Sequence, residues 1–362
     1  MIRILFVAPL EGNGGIVSWA ANYRNAMQAD VVLLSVGVSK RRALRKKVTK
    51  WNTIIDGVRD LKAVLREIDN ALKQENDVKI MHMTTSGGKG TFRDLLIARK
   101  VRRKGIKCIM HCHYGNISQD YSNKGLKGLL LRKALCLFDQ IWVLDNKSYN
   151  TLNNDACLKG KIELVPNFLE VPIEGTNDIK TFFKVGFVGN LIPTKGIYEL
   201  TEAVKGCDNT QLDIIGPGED NVINTIKRIA GNELGKRIFL HGRVDNSRAI
   251  EMIKSIDIIA LPTYYPPEAF PISILEAMSH SKLVISCDRA AIPDMLKDKD
   301  GDLCGILVEP QSSTSIQTAI KWCQSHTIEA NEMCKRAYQK VYDFYRTDVI
   351  VNVCLENYKK LL

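Results

Sequence analysis

Two successive series of short, β-branched runs alternating with amphipathic stretches constrain this chain more than any other feature. In the first half, residues 2–8, 31–36, 79–84, 106–112, 140–144 and 162–165 read as strands. Between the first two, Ile16, Trp19, Tyr23 and Met27 recur at spacings of three and four, the period of a helix with one buried face. Strands alternating with helices predict a parallel, doubly wound sheet. The alternation pauses over 166–183, where Pro166, Pro172 and Gly175 stand among polar residues as in a linker. It resumes with strands over 184–189, 211–215, 237–241, 257–261, 283–287 and 305–308, and 330–362 is helical. The economical reading is α/β, two tandem Rossmann-like domains.

A chain of 362 residues is long enough for two cores, and 45% hydrophobic with 25% charged residues describes a soluble globular protein. No stretch approaches the roughly 18 apolar residues of a membrane span, and the first ten residues lack a signal-peptide layout. The ten cysteines are scattered without a CxxC pair, which predicts free thiols and a cytoplasmic protein. Charge is uneven. Residues 1–180 hold 30 Lys and Arg against 17 Asp and Glu, a net of +13, whereas 181–362 hold 21 against 23, a net of −2. A basic first half suits an anionic partner, such as a membrane surface, a phosphorylated lipid or nucleic acid; the alternative is a solvated basic face.

After the first strand, Gly12, Gly14 and Gly15 form a turn that opens a helix. Such a turn either lets a ligand approach the backbone and the helix N-terminus or is simply tight. It is not GxGxxG, and the second strand ends without the acidic residue that would hold an NAD ribose, which argues against a dehydrogenase. The segment 268–276, EAFPISILE, follows a buried strand and a turn-rich Tyr264-Tyr265-Pro266-Pro267. Pro271 suits the start of a helix over about 272–279. Glu268 then lies before that helix and Glu276 one turn inside it, while the amides of Ile272 and Ser273 are free for a phosphate. Two surface glutamates on an ordinary helix would read the same way.

Glu268 and Glu276, followed by Ala277-Met278, resemble the EX7E motif of retaining glycosyltransferases of family 4, and 267–286 resembles that family's signature throughout. Phe187-Val188-Gly189 with Lys195-Gly196 resembles the donor-phosphate loop, Ile214-Ile215-Gly216-Pro217-Gly218 the next strand and turn, and 164–167 the segment entering the linker. The resemblance covers 184–310 and is thinner over 1–165. It implies the GT-B fold, two Rossmann-like domains facing across a cleft, with no metal and no cofactor beyond a nucleotide-sugar donor, read as a UDP-sugar. Boundaries follow at 1–168 for an acceptor domain, 169–344 for a donor domain, and 345–362 for a helix packing back on the first.

By that resemblance Lys195 neutralises the diphosphate, Glu276 holds the ribose and Glu268 sits by the donor sugar. Gly14, Gly15, Gly189, Asn190, Gly216, Phe270, Ile272 and Ser273 line the donor. Two departures stand out. Asn190 replaces the family's Arg, removing a cation for which Arg243 or Arg289 is the nearest substitute, and Pro271 replaces a glycine. At the end of the fourth strand, His111 and His113 are two apart and share a face. The flanking Cys108 and Cys112 match no usual zinc spacing. The family's histidine at this strand end aligns with His113, which would orient sugar hydroxyls.

Residues 40–51, KRRALRKKVTKW, carry Leu44, Val48 and Trp51 as an apolar stripe among cations, and 125–137 repeats the theme. This is the make-up of a helix on an anionic membrane; a solvated helix is the alternative, and no nucleic-acid motif accompanies it. The expected function is transfer of a sugar to a saccharide or lipid-linked acceptor in bacterial surface polysaccharide synthesis, peripheral on the inner membrane face. Rivals are a nucleotide-sugar-binding protein with degraded catalysis and a sugar-nucleotide epimerase on the same fold.

Overall fold

The computed structural model describes residues 1–12, 14–38, 50–75, 77–88, 90–169 and 178–362, with the side chains of all but 50–55. The basic run at 40–51 therefore lies outside the described residues, save for the backbone at its end. Two compact units form: Met1–Glu170 with Thr347–Leu362, and Val171–Arg346.

In the first unit the strands β1 (Ile2–Ala8), β2 (Val31–Gly37), β3 (Ile80–Thr85), β4 (Lys107–Cys112), β5 (Gln140–Val143) and β6 (Ile162–Leu164) form one parallel sheet, ordered β2-β1-β3-β4-β5-β6. The crossovers carry α1 (Gly15–Met27), α2 (Lys50–Gln74), α3 (Gly90–Arg102), α4 (Ile117–Ser122), α5 (Leu126–Leu135) and α6 (Asn146–Asn153). Central strands read as unbroken apolar runs because both faces are covered: residues 4–8 of β1 are all buried. One face packs Leu5, Val7, Met81 and Met83 under the helices; the other packs Phe6, Ile80, Ile109 and Trp142 under α1. Asp145 caps α6 by accepting from the amide of Ser148 at 2.7 Å.

The second unit repeats the plan with β7 (Lys184–Val188), β8 (Gln211–Ile215), β9 (Ile238–Gly242), β10 (Ile258–Leu261), β11 (Leu283–Cys287) and β12 (Ile306–Val308), ordered β12-β11-β10-β7-β8-β9. Its helices are α7 (Ile197–Lys205), α8 (Asp220–Ala230), α9 (Asn246–Ser255), α10 (Ile272–Ser279), α11 (Ile292–Met295), α12 (Ser313–Ser325) and α13 (Thr327–Phe344). Asp245 and Ser312 cap α9 and α12 through side-chain bonds to the amides of Arg248 and Ser315. The last helix, α14 (Thr347–Leu361), belongs to the first unit. There Ile350, Val351, Cys354 and Tyr358 complete the core against α1. The Tyr358 hydroxyl bonds the Tyr23 hydroxyl and meets His82 Nδ1 at 2.6 Å.

One expectation is corrected. Cys136 and Cys157 are paired as a disulfide, Cα atoms 6.2 Å apart, whereas all ten cysteines read as free thiols. The end of α5 and the loop after α6 bring together residues 21 apart, a separation that carries no sequence signal. The other eight are buried thiols. Among the described residues no helix is long and apolar enough to cross a membrane.

Candidate functional site

Strand order locates the candidate sites. In the second sheet the chain leaves β7 toward β8 and β9, then returns to the opposite side of β7 for β10, β11 and β12. Loops after β7 and β10 therefore diverge at the carboxyl edge, the place where open α/β sheets take ligands.

The loop after β7 holds Gly189, Asn190 and Lys195. Lys195 ends a 3-10 turn, Pro193–Lys195, and Gly196 follows at φ +78°. A Cβ on Gly196 would lie 2.3 Å from the Pro262 carbonyl, so only glycine lets this turn press against the end of β10. Gly216, at the end of β8, stands equally close to its neighbour: a Cβ there would meet the Gly189 carbonyl at 1.9 Å. At Gly189 itself, φ +145°, a Cβ would meet nothing within 4 Å, which leaves open space above the strand end. Asn190 is exposed.

The loop after β10 brings Glu268 to Lys195. Their Nζ and Oε2 atoms are 3.0 Å apart, with both side chains largely shielded from water. Thr263, buried, donates its hydroxyl to Glu268 at 3.4 Å, and the Tyr265 ring lies 5.8 Å from the ammonium. The Tyr264 amide bonds the Thr194 carbonyl at 2.9 Å, tying the two loops together. Arg289, after β11, donates to the Tyr265 and Pro266 carbonyls and lies near enough to Glu268 to feel its charge. Arg243 is exposed beyond the edge strand β9, three strands from β10. Of the two substitutes for the missing cation, Arg289 stands in the constellation.

Helix α10 starts behind Pro271, which has no amide hydrogen to leave unbonded. Ile272 and Ser273 are its first residues, so their amides have no intrahelical acceptor. Phe270 is buried edge-on against Tyr345, centroids 5.4 Å apart, anchoring the helix entry. Glu276 is half-buried, its carboxyl has no hydrogen-bond partner among the described residues, and partial removal from water raises it from the ordinary 4.5 to about 7. Glu199 in the first turn of α7 was not anticipated. Its Oε1 accepts from the Tyr264 hydroxyl at 3.2 Å while its buried Oε2 has no partner. A glutamate four residues past a loop lysine carries no distinctive sequence signal.

In the first unit the switch lies between β1 and β3. Gly14 and Gly15 open α1 at this edge, exposed, and a Cβ on either would touch nothing within 4 Å. His113 follows β4, its amide bonded to the Thr85 carbonyl at 2.9 Å. His111 and His113 share a face, but that face turns inward beneath α1: both are buried, with ring centroids 4.1 Å apart. The Trp19 ring lies 4.2 Å from His113. His111 Nε2 donates to the Val165 carbonyl at 3.1 Å, and burial lowers its pKa to about 3. Burial first, then neighbouring imidazoles, depress His113 and His82 as well. His113 Nε2, His111 Nδ1, His82 Nε2 and Trp19 Nε1 are buried without partners.

Residues 173–340 match the family model of glycosyl transferases group 1. An uncharacterised glycosyltransferase of Methanocaldococcus jannaschii is 26% identical over 187 residues, 50% of this chain and 45% of that protein. The D-rhamnosyltransferase WbpZ of Pseudomonas aeruginosa is 28% identical over 152 residues, 42% of this chain and 38% of that protein. The matches span less than half the length of these curated relatives. Anabaena HepE, solved in complex with UDP, superposes with a TM-score of 0.75 at 14% identity, covering 99% of this chain and 100% of that one. The fold is GT-B, and the family match supports a glycosyltransferase.

Proposed function

We propose, on the premise of a GT-B glycosyltransferase, that this chain is a retaining family 4 enzyme taking a UDP-sugar on its second unit. The observation that carries the reading is the Lys195–Glu268 pair, 3.0 Å apart, at the switch point beside the N-terminus of α10. A leaving diphosphate would take Lys195 from Glu268 and rest against the unbonded amides of Ile272 and Ser273, where the helix dipole favours anions. Arg289 adds a second cation near the same carboxylate, in place of the one absent at Asn190. Glu276 accepts the ribose hydroxyls, and Gly189 and Gly216 keep the strand ends clear for the nucleotide. Stabilising the departing diphosphate is the main catalytic work assigned to these groups.

The first unit takes the acceptor, a saccharide or lipid-linked saccharide in surface polysaccharide synthesis, at the inner face of the cell membrane. His113 orients the sugar as a neutral imidazole, in keeping with its burial. Asn190 favours a second reading, a protein that binds a nucleotide sugar without transferring it, because a neutral side chain stands where a cation is usual.

Melting temperature with a panel of UDP- and GDP-sugars, followed by nucleotide release with acceptors, separates these readings. Stabilisation with release supports the transferase, and stabilisation without release supports the binding protein. No stabilisation by any nucleotide overturns both, and full activity in Lys195→Ala overturns the site.

A further inference from the structure

Helix α5 carries apolar side chains on two opposite faces. Leu131, Ala134 and Leu135 turn inward and are buried. Leu126, Leu129 and Leu130 turn outward and are 73%, 43% and 42% exposed, joined by Phe92 of α3 at 61%. The helix cannot roll to cover them. A Cβ on Gly128 would lie 1.9 Å from the Asn123 carbonyl, so the inward face is already in backbone contact. Arg132 donates to the carbonyls of Tyr121 and Asn123, and Lys127 pairs with Asp120 at 2.7 Å. The leucines are held in water by construction. Between Phe92, Leu95, Leu130 and Leu131 opens a cavity of about 160 Å³ with Lys127 on its lining.

Around this apolar face Lys124 and Lys133 are exposed, and Asp120 on the cavity lining is paired with the exposed Lys127, so the net charge of these four groups is positive. A symmetric contact between two copies would bring two copies of the same basic fringe together, which opposes a homodimer through this face. An apolar patch fringed by cations is instead complementary to a lipid surface with anionic headgroups: leucines enter the acyl boundary while lysines meet phosphates. We infer that the outward face of α5, with Phe92, docks this protein on an anionic phospholipid bilayer. This rests on the membrane contact proposed above and gives it a location. Tyr114, next to His113, lines the same cavity, so a docked lipid headgroup would lie beside the end of β4.

The test is co-sedimentation of the full chain with vesicles of phosphatidylcholine, alone or mixed with phosphatidylglycerol. Wild type is expected to pellet with the mixed vesicles and to be released by high salt. Leu126→Ser/Leu129→Ser/Leu130→Ser should bind the mixed vesicles at least about tenfold more weakly, since three leucines lose their apolar burial. Lys124→Glu/Lys133→Glu should weaken binding in the same direction. The serine residues replace exposed side chains, and an unchanged melting temperature verifies the fold; if the triple variant fails to fold, Leu129→Ser with the charge pair gives the same readout. Every variant keeps residues 40–51, so undiminished binding of the triple variant would assign the contact to that segment and overturn the inference. Wild type that stays in the supernatant, or a dimer abolished by the triple variant, also overturns it. Nucleotide stabilisation, measured on the same proteins, reports on the transferase reading alone.

Discussion

Glu276→Gln should make the unliganded protein more stable and its donor site worse, both with a defined pH dependence. Burial holds the Glu276 carboxyl at about 7 against an ordinary 4.5. Below pH 4.5 the folded and unfolded chains both carry the proton, and the group has no effect. Between 4.5 and 7 the folded chain keeps a proton that the unfolded chain has lost, so stability falls as pH rises. Above 7 the whole penalty stands, about 3 kcal/mol at ~1.4 kcal/mol per pH unit. Glutamine does not ionise. The variant should therefore gain up to about 3 kcal/mol near pH 8 and nothing near pH 4, read as the difference in denaturant midpoints multiplied by the slope. Binding runs the other way. Ribose hydroxyls donate to the carboxylate, so each pH unit below 7 should weaken UDP by about tenfold in wild type. Glutamine should abolish that dependence and cost about 1.5–3 kcal/mol of affinity where wild type is ionised. Calorimetric UDP titrations near pH 6 and near pH 8 measure it. A variant no more stable than wild type near pH 8, or wild-type affinity flat across this range, would refute the reasoning.

Lys195→Ala should lower the transfer rate by about 10²–10³, the usual cost of one group that stabilises departing charge, and should also lower the melting temperature because the shielded Glu268 carboxylate loses its partner. Unaltered turnover would exclude Lys195 from the diphosphate. Gly216→Ala and Gly189→Ala should differ although both glycines have positive φ. The first drives a methyl into the Gly189 carbonyl and should destabilise by 3 kcal/mol or about that, whereas the second meets empty space and should cost about 1 kcal/mol of strain. Chemical denaturation of the pair decides it, with UDP affinity expected to fall in Gly189→Ala. Finally, His82, His111 and His113 are buried neutral, each with its pKa lowered. Their folded values lie below the unfolded 6.5, so the unfolded chain takes up protons first and stability should fall as pH drops below 6.5, by up to about 1.4 kcal/mol per pH unit for each. His111→Phe should flatten that slope between pH 6.5 and about 3, and an unchanged acid limb would count against it.

The twelve strands of the described residues follow the apolar runs of the sequence because parallel strands are buried on both faces and need little tertiary information. Strand order is another matter. That β11 lies beside β10 while β9 sits at the far edge is what separates Arg289 from Arg243, and no local pattern encodes it. The two-residue spacing put His111 and His113 on one face but did not say that α1 covers that face, since Trp19 and Tyr23 read as a helix without a destination. The Cys136–Cys157 pairing and the Tyr264–Glu199 contact join separate segments, where spacing is silent. Glu268 and Glu276 were legible because their separation spans a loop and one helical turn, both local features.

The path of α14 has a consequence for how the protein is made. The first unit is begun by the N-terminal residues, yet its core waits for Ile350, Cys354 and Tyr358, and the hydroxyl of Tyr358 joins Tyr23 and His82 only when the last helix arrives. During synthesis, residues 171–346 form a contiguous unit with every strand of their sheet in hand, whereas the earlier-made unit lacks one wall. The unit begun earlier along the chain is thus completed later, and residues 347–362 act as its latch.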